Sequence, residues 1–103
     1  MPRHAQHAPG GVIYHVLNRA AGRMKLFRDD ADYAAFIRAL AETIERIPMR
    51  VCGYCLMPNH WHLALWPARD GELPRFMQRL TTTHVRRWLE HRGRVGMGSV
   101  YQG

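Results

Sequence analysis

Hydrophobic and polar positions follow different periods along this chain, and the changes of period divide it into elements. Val12 to Asn18 is rich in β-branched and apolar residues and predicts a first strand. Asp29, Asp30 and Asp32 then supply a cap and negative charge for a helix start, and Tyr33, Phe36, Ile37, Leu40, Ile44 and Ile47 follow at helical spacing until Pro48 stops the helix. Arg50 to Met57 reads as a second strand, Pro58-Asn59 as a turn, and His60 to Trp66 as a third strand paired with the second in a hairpin. A second helix opens at Gly71, carries Leu73, Phe76, Met77 and Leu80 on one face and runs to Arg92. Residues 1–10 lack any period and read as a mobile basic leader, while 11–103 form one α+β domain.

Size and charge narrow the chemistry. A chain of 103 residues can bury one real core. Lys and Arg number 15 against 8 acids, for a formal net charge of +7, and every basic residue except Lys25 is arginine. Arginine suits bidentate phosphate contact and stacking on bases, so a polyanion is the expected partner. No apolar run approaches the roughly 20 residues of a spanning helix, which predicts no membrane segment and a cytoplasmic protein.

The most informative run is Cys55-Leu56-Met57-Pro58-Asn59-His60-Trp61-His62. Successive side chains on a strand alternate faces, so His60 and His62 project to one side and Trp61 into the core on the other. Two imidazoles side by side can hold a metal ion. Histidines on strands often do no more than satisfy hydrogen bonds, but here a Pro-Asn turn fixes the pair in a strongly basic chain. Cys52 and Cys55 spell Cys-x-x-Cys, yet a separation of three sends the sulfurs to opposite faces of a strand. They are expected to be ordinary buried thiols of a reducing compartment.

The second helix also carries Arg75, Arg79, Arg86 and Arg87, with Thr81, Thr82, Thr83 and His84 among them. Only Glu90 balances its second half, so these arginines are expected to be largely free of i,i+4 partners and to offer a phosphate-contacting surface. Asn18 and Arg19, at the end of the first strand, join them as expected DNA contacts. The segment Gly93-Arg94-Val95-Gly96-Met97-Gly98 lacks the strand, glycine loop and helix of a nucleotide cradle and reads as a flexible loop.

Several separated stretches, in order, resemble the REP-associated tyrosine transposases among the HUH single-tyrosine transposases. They are Pro9 to Arg19, Leu26-Phe27-Arg28-Asp29-Asp30, the Tyr54 to His62 run as the HUH motif, and Gly98-Ser99-Val100-Tyr101-Gln102-Gly103. The resemblance implies a ferredoxin-like palm with an antiparallel sheet and two helices on one face. It also implies a divalent ion on His60 and His62, and a tyrosine that attacks single-stranded or hairpin DNA to leave a 5′-phosphotyrosine and a free 3′-hydroxyl. Mg²⁺ or Mn²⁺ is the expected ion, and imidazole chemistry admits zinc.

The family's nucleophilic tyrosine and third metal ligand lie on a helix downstream of the stretch matching Tyr101-Gln102-Gly103. The expectation is therefore an incomplete transposase without its last strand and nucleophile helix, and with no catalytic residue of its own. Of the four tyrosines, Tyr101 alone follows a glycine-rich loop that would let it approach the metal. The competing reading is a non-catalytic nucleic-acid-binding remnant, and a metallohydrolase using Cys55 with the histidines is a third. An uncovered sheet edge would allow pairing with a second copy of the chain.

Overall fold

In the computed structural model, residues 8–92 and 100–101 are described. Among them the elements are β1 (Tyr14–Arg19), α1 (Asp30–Arg46), β2 (Arg50–Met57), β3 (His60–Trp66) and α2 (Glu72–Arg92). The sheet order is β1-β3-β2, with β3 antiparallel to both neighbours. β1 and β2 therefore run parallel with β3 between them, which is the split βαβ of a ferredoxin-like palm. Tyr101 forms an isolated antiparallel bridge with Ala20, and the Ala21 amide donates to the Val100 carbonyl at 2.8 Å. The chain thus reaches the β1 edge at the position of a fourth palm strand.

The α+β arrangement with both helices on one face is as expected, and the bounds of β2 and β3 coincide with the pattern in the sequence. β1 begins two residues later than expected, and Ala8–Gly10, expected in the mobile leader, are held in place. The Gly10 amide donates to Asp70 Oδ1 at 2.8 Å, the Gly11 amide to the Pro67 carbonyl at 2.8 Å, and the Gly71 amide to the Ala8 carbonyl at 2.9 Å. Gly11 adopts φ +80°, a conformation that favours glycine, and only beyond this turn does the strand start. The remainder of the leader and the glycine-rich segment 93–98 lie outside the described residues.

Helix α1 starts where its cap predicts. Asp29 Oδ1 accepts from the Asp32 amide at 3.0 Å, and the Asp32 carboxylate reaches back to the Arg28 amide at 2.8 Å. The helix ends as the Ile47 amide returns to the Thr43 carbonyl and Pro48 blocks continuation. α2 is started by Glu72, whose Oε1 accepts from the Ala68 and Arg69 amides at 3.1 and 3.0 Å.

Trp61, Leu63 and Leu65 of β3 are fully buried against Phe36 and Leu40 of α1 and Phe76 and Leu80 of α2. Burying each such side chain contributes about 1.5–3 kcal/mol, so the inward face of the central strand dominates the core. The apolar stripe of α2 extends further than its hydrophobic residues alone suggest, through His84 to Trp88, whose Nε1 donates to the Leu26 carbonyl at 2.9 Å. His84, expected among the solvated arginines, lies in this stripe at 4% exposure.

Candidate functional site

The face of the sheet opposite the helices carries the histidines. His60 and His62 stand on it together, ring centroids 5.1 Å apart, while Trp61 between them is 0% exposed on the core side. Strand alternation places them there and the helices leave the face uncovered. Register adds residues from both neighbours: Arg19 lies opposite His60, Leu17 and Cys55 opposite His62, and Met57 opposite His60 on the β2 side.

His15, two residues before Leu17 and therefore on the same face, completes the cluster. Its Nε2 lies 2.9 Å from His62 Nδ1, with the rings stacked at 5.0 Å between centroids. His60 Nδ1 lies 2.8 Å from Asn59 Oδ1, an acceptor, so the His60 proton sits on Nδ1. His62 Nδ1 is likewise engaged, by His15 Nε2, so both residues direct Nε2 away from these partners. Partial desolvation lowers the His62 pKa first, and the proximity of His15, His60 and Arg19 lowers it further. Each of these favours the neutral ring, the form that binds metal. Among the described residues no group of three or more His, Cys, Asp or Glu side chains is arranged to hold a metal ion.

The cysteines differ from expectation. Both thiols are exposed and free. Cys52 occupies an irregularity in the β2 register, between Val51 opposite Leu65 and Gly53 opposite Ala64, and this extra residue breaks the alternation on which opposite faces would depend. Cys55 keeps its register opposite His62.

The four tyrosines lie away from the histidine face. Tyr14 donates to the Pro9 carbonyl at 2.7 Å, Tyr33 stacks on Phe27 at 4.7 Å, and Tyr54 is in register with the inward-facing Leu63. Tyr101 points into the core, where its hydroxyl accepts from Trp61 Nε1 at 3.1 Å and is hydrogen-bonded to His84 Nδ1. Burial pushes its pKa upward, against the need of a nucleophile. Tyr101 is therefore a core hydrogen-bonding residue on the far side of β3 from His60 and His62.

The expected DNA contacts divide between two sides of the molecule. Arg19 is exposed on the histidine face, but Asn18, in register with Trp61, belongs to the helical side. Arg75, Arg79 and Arg86 line a groove on the outer surface of α2, and none forms an ion pair with a described residue. Arg87 is not free as expected. Its guanidinium grips Glu42 of α1 through both oxygens, at 2.6 and 3.2 Å, and holds that carboxylate below its ordinary pKa. Intrahelical spacing cannot reveal a partner on another helix. A further cavity of about 430 Å³ between α1 and α2 is floored by Ala31, Ala35, Ala39 and Trp88, on the helical side.

An antiparallel split-βαβ palm with an outward His-x-His pair on its central strand defines the class. The family model described as Transposase IS200 like matches residues 10–101, and the chain belongs to that family. Its structure is similar to that of a REP-associated tyrosine transposase bound to a REP hairpin, with 12% identity, a TM-score of 0.71, and coverage of 93% of this chain and 53% of that one. It is also similar to a transposase from Deinococcus radiodurans R1 known from its crystal structure, with 19% identity, a TM-score of 0.66, and coverage of 78% of this chain and 61% of that one. At these identities the likeness is one of fold, and the chain spans 53% and 61% of the two relatives' lengths. No curated protein matches the chain.

Proposed function

We propose that this chain is the DNA-binding palm of a transposase, with single-stranded DNA crossing the open sheet face, where His60 and His62 would hold a divalent ion. The observation that carries this reading is the paired histidine geometry: each ring has its Nδ1 engaged, by Asn59 or by His15, and its Nε2 free on the open face. Such outer partners fix the tautomer and ring orientation of metal-binding histidines. The donor set suits Mn²⁺ or zinc and, with further oxygen ligands, Mg²⁺.

When bound, the ion would act as a Lewis acid on a phosphodiester oxygen. Arg19, in register with His60, would neutralise a neighbouring phosphate. The exposed Leu17, Met57 and Trp66 offer apolar surface to unstacked bases, and Arg50 already lies 4.4 Å over the Trp66 ring. None of the four tyrosines supplies a hydroxyl to this face, so these residues bind and orient DNA, and the attacking oxygen comes from elsewhere. The relative bound to a REP hairpin makes a hairpin with a single-stranded flank the first ligand to try.

Calorimetric titration with Mn²⁺ and with Zn²⁺ tests the site. Weak binding by the wild type, abolished in His60→Ala/His62→Ala, is expected. Equal binding by both proteins would refute the metal site and leave the non-catalytic DNA-binding reading.

A further inference from the structure

On the opposite side of the molecule from the histidines, α2 carries a charged groove. Arg75, Arg79 and Arg86 fall at helical spacing on the outer surface of the helix. Between them Gln78, Thr82 and Thr83 line an open groove of about 380 Å³ that ends against Ile47, at the C-terminus of α1. The groove continues past Thr83 toward Arg46 of α1.

Glu42, the acidic residue beside this groove, is neutralised by its two-oxygen pairing with Arg87. Arg46, Arg75, Arg79 and Arg86 make no ion pair with any described residue. Glu72 is turned away from them to cap the Ala68 and Arg69 amides. Uncompensated guanidinium groups are thus collected along one helix flank, while Glu42 and Glu72 are engaged elsewhere.

We infer that this groove is a second nucleic-acid site, one that takes the sugar–phosphate backbone of double-stranded DNA. The inference rests on the reading of the chain as a DNA binder, but not on the metal site. The lining identifies the ligand. Arg, Thr and Gln are residues that contact phosphate and sugar oxygens, and no aromatic ring lines the groove to stack an unpaired base. The sheet face differs, with Trp66, Leu17 and Met57 exposed beside the histidines. At about 1.5 Å per residue, the row from Arg75 to Arg86 is roughly 16 Å long. A hairpin with a single-stranded flank offers both ligand types in one molecule, the stem to the helix groove and the flank to the sheet.

The test is fluorescence anisotropy with three labelled probes: a blunt duplex, a single strand, and a hairpin with a single-stranded tail. Each is titrated at 50 and 200 mM salt with wild type, Arg75→Ala/Arg79→Ala/Arg86→Ala, and Arg19→Ala. Alanine favours the helix, so circular dichroism of the triple variant should match wild type. Because the triple variant leaves three phosphates without a guanidinium, its log–log salt slope for the duplex should be flatter by about 2.7. Over this fourfold change in salt, the wild type then loses roughly 40-fold more duplex affinity than the variant. Single-strand binding should change less than twofold in the triple variant and fall in Arg19→Ala.

Duplex binding by the triple variant equal to wild type overturns the groove. Equal losses for duplex and single strand in that variant overturn its assignment to double-stranded backbone. Failure of the wild type to bind any probe instead refutes the DNA-binding function itself.

Discussion

Acid should destabilise this fold through one buried histidine. His84 is held between Phe27, Phe36 and Tyr101 on the core face of α2. Burial drives its pKa down to about 4; the nearby Asp32 opposes this and Arg92 assists it. In the unfolded chain the same imidazole titrates near its ordinary value of 6.5. The unfolded state therefore takes up the proton first as pH falls. The stability associated with neutral His84 is complete above about pH 6.5 and drains away toward pH 4.

At about 1.4 kcal/mol per pH unit the full effect is roughly 3 kcal/mol. Of this, about 2 kcal/mol is lost between pH 7 and pH 5. Urea unfolding followed by tryptophan fluorescence at the two pH values, on wild type and His84→Gln, measures it. The glutamine can still hydrogen-bond to Tyr101 but does not titrate. The variant is expected to be less stable at pH 7 yet to lose about 2 kcal/mol less than wild type on going to pH 5. Other histidines titrate alike in both proteins and cancel in the comparison. The same pH dependence in both would refute the assignment of the acid sensitivity to His84.

Gly10→Ala should destabilise, because a Cβ there would lie 2.6 Å from the Ala68 carbonyl oxygen and the Arg69 amide nitrogen, both of them backbone. The cost expected from such overpacking is about 1–3 kcal/mol, read as a lowered thermal midpoint. Glu42→Gln frees the Arg87 guanidinium beside the basic groove, so the salt slope for duplex DNA should steepen by up to about 0.9, checked by the same anisotropy titration. With labelled hairpin DNA and Mn²⁺, the 103-residue chain should give no covalent adduct on a denaturing gel. A labelled band lost on Tyr101→Phe would show instead that the Tyr101 hydroxyl leaves Trp61 and His84 to attack.

Local periods determined much of this protein. Period two across His60 to Trp66 was enough to set β3, to turn Trp61 inward and to put His60 and His62 on one face, because side-chain direction on a strand depends only on residue parity. The Asp29 cap and Pro48 bounded α1 for equally local reasons. The tertiary structure decided what distant segments bring to each other. His15 meets His62 across a separation of 47 residues because β1 pairs with β3 in one register, and nothing in the first strand alone selects that histidine as a partner. Arg87 looked unpaired along its own helix, but Glu42 reaches it from α1. An extra residue in β2 takes Cys52 out of the strict alternation, while Cys55 is exposed by its own register opposite His62 on the open face. His84 and Tyr101, polar by composition, are core residues because each satisfies the other where α2 and the Val100–Tyr101 segment converge behind Trp61. Burying a polar group requires a partner, and the partner is fixed by the packing of the whole chain.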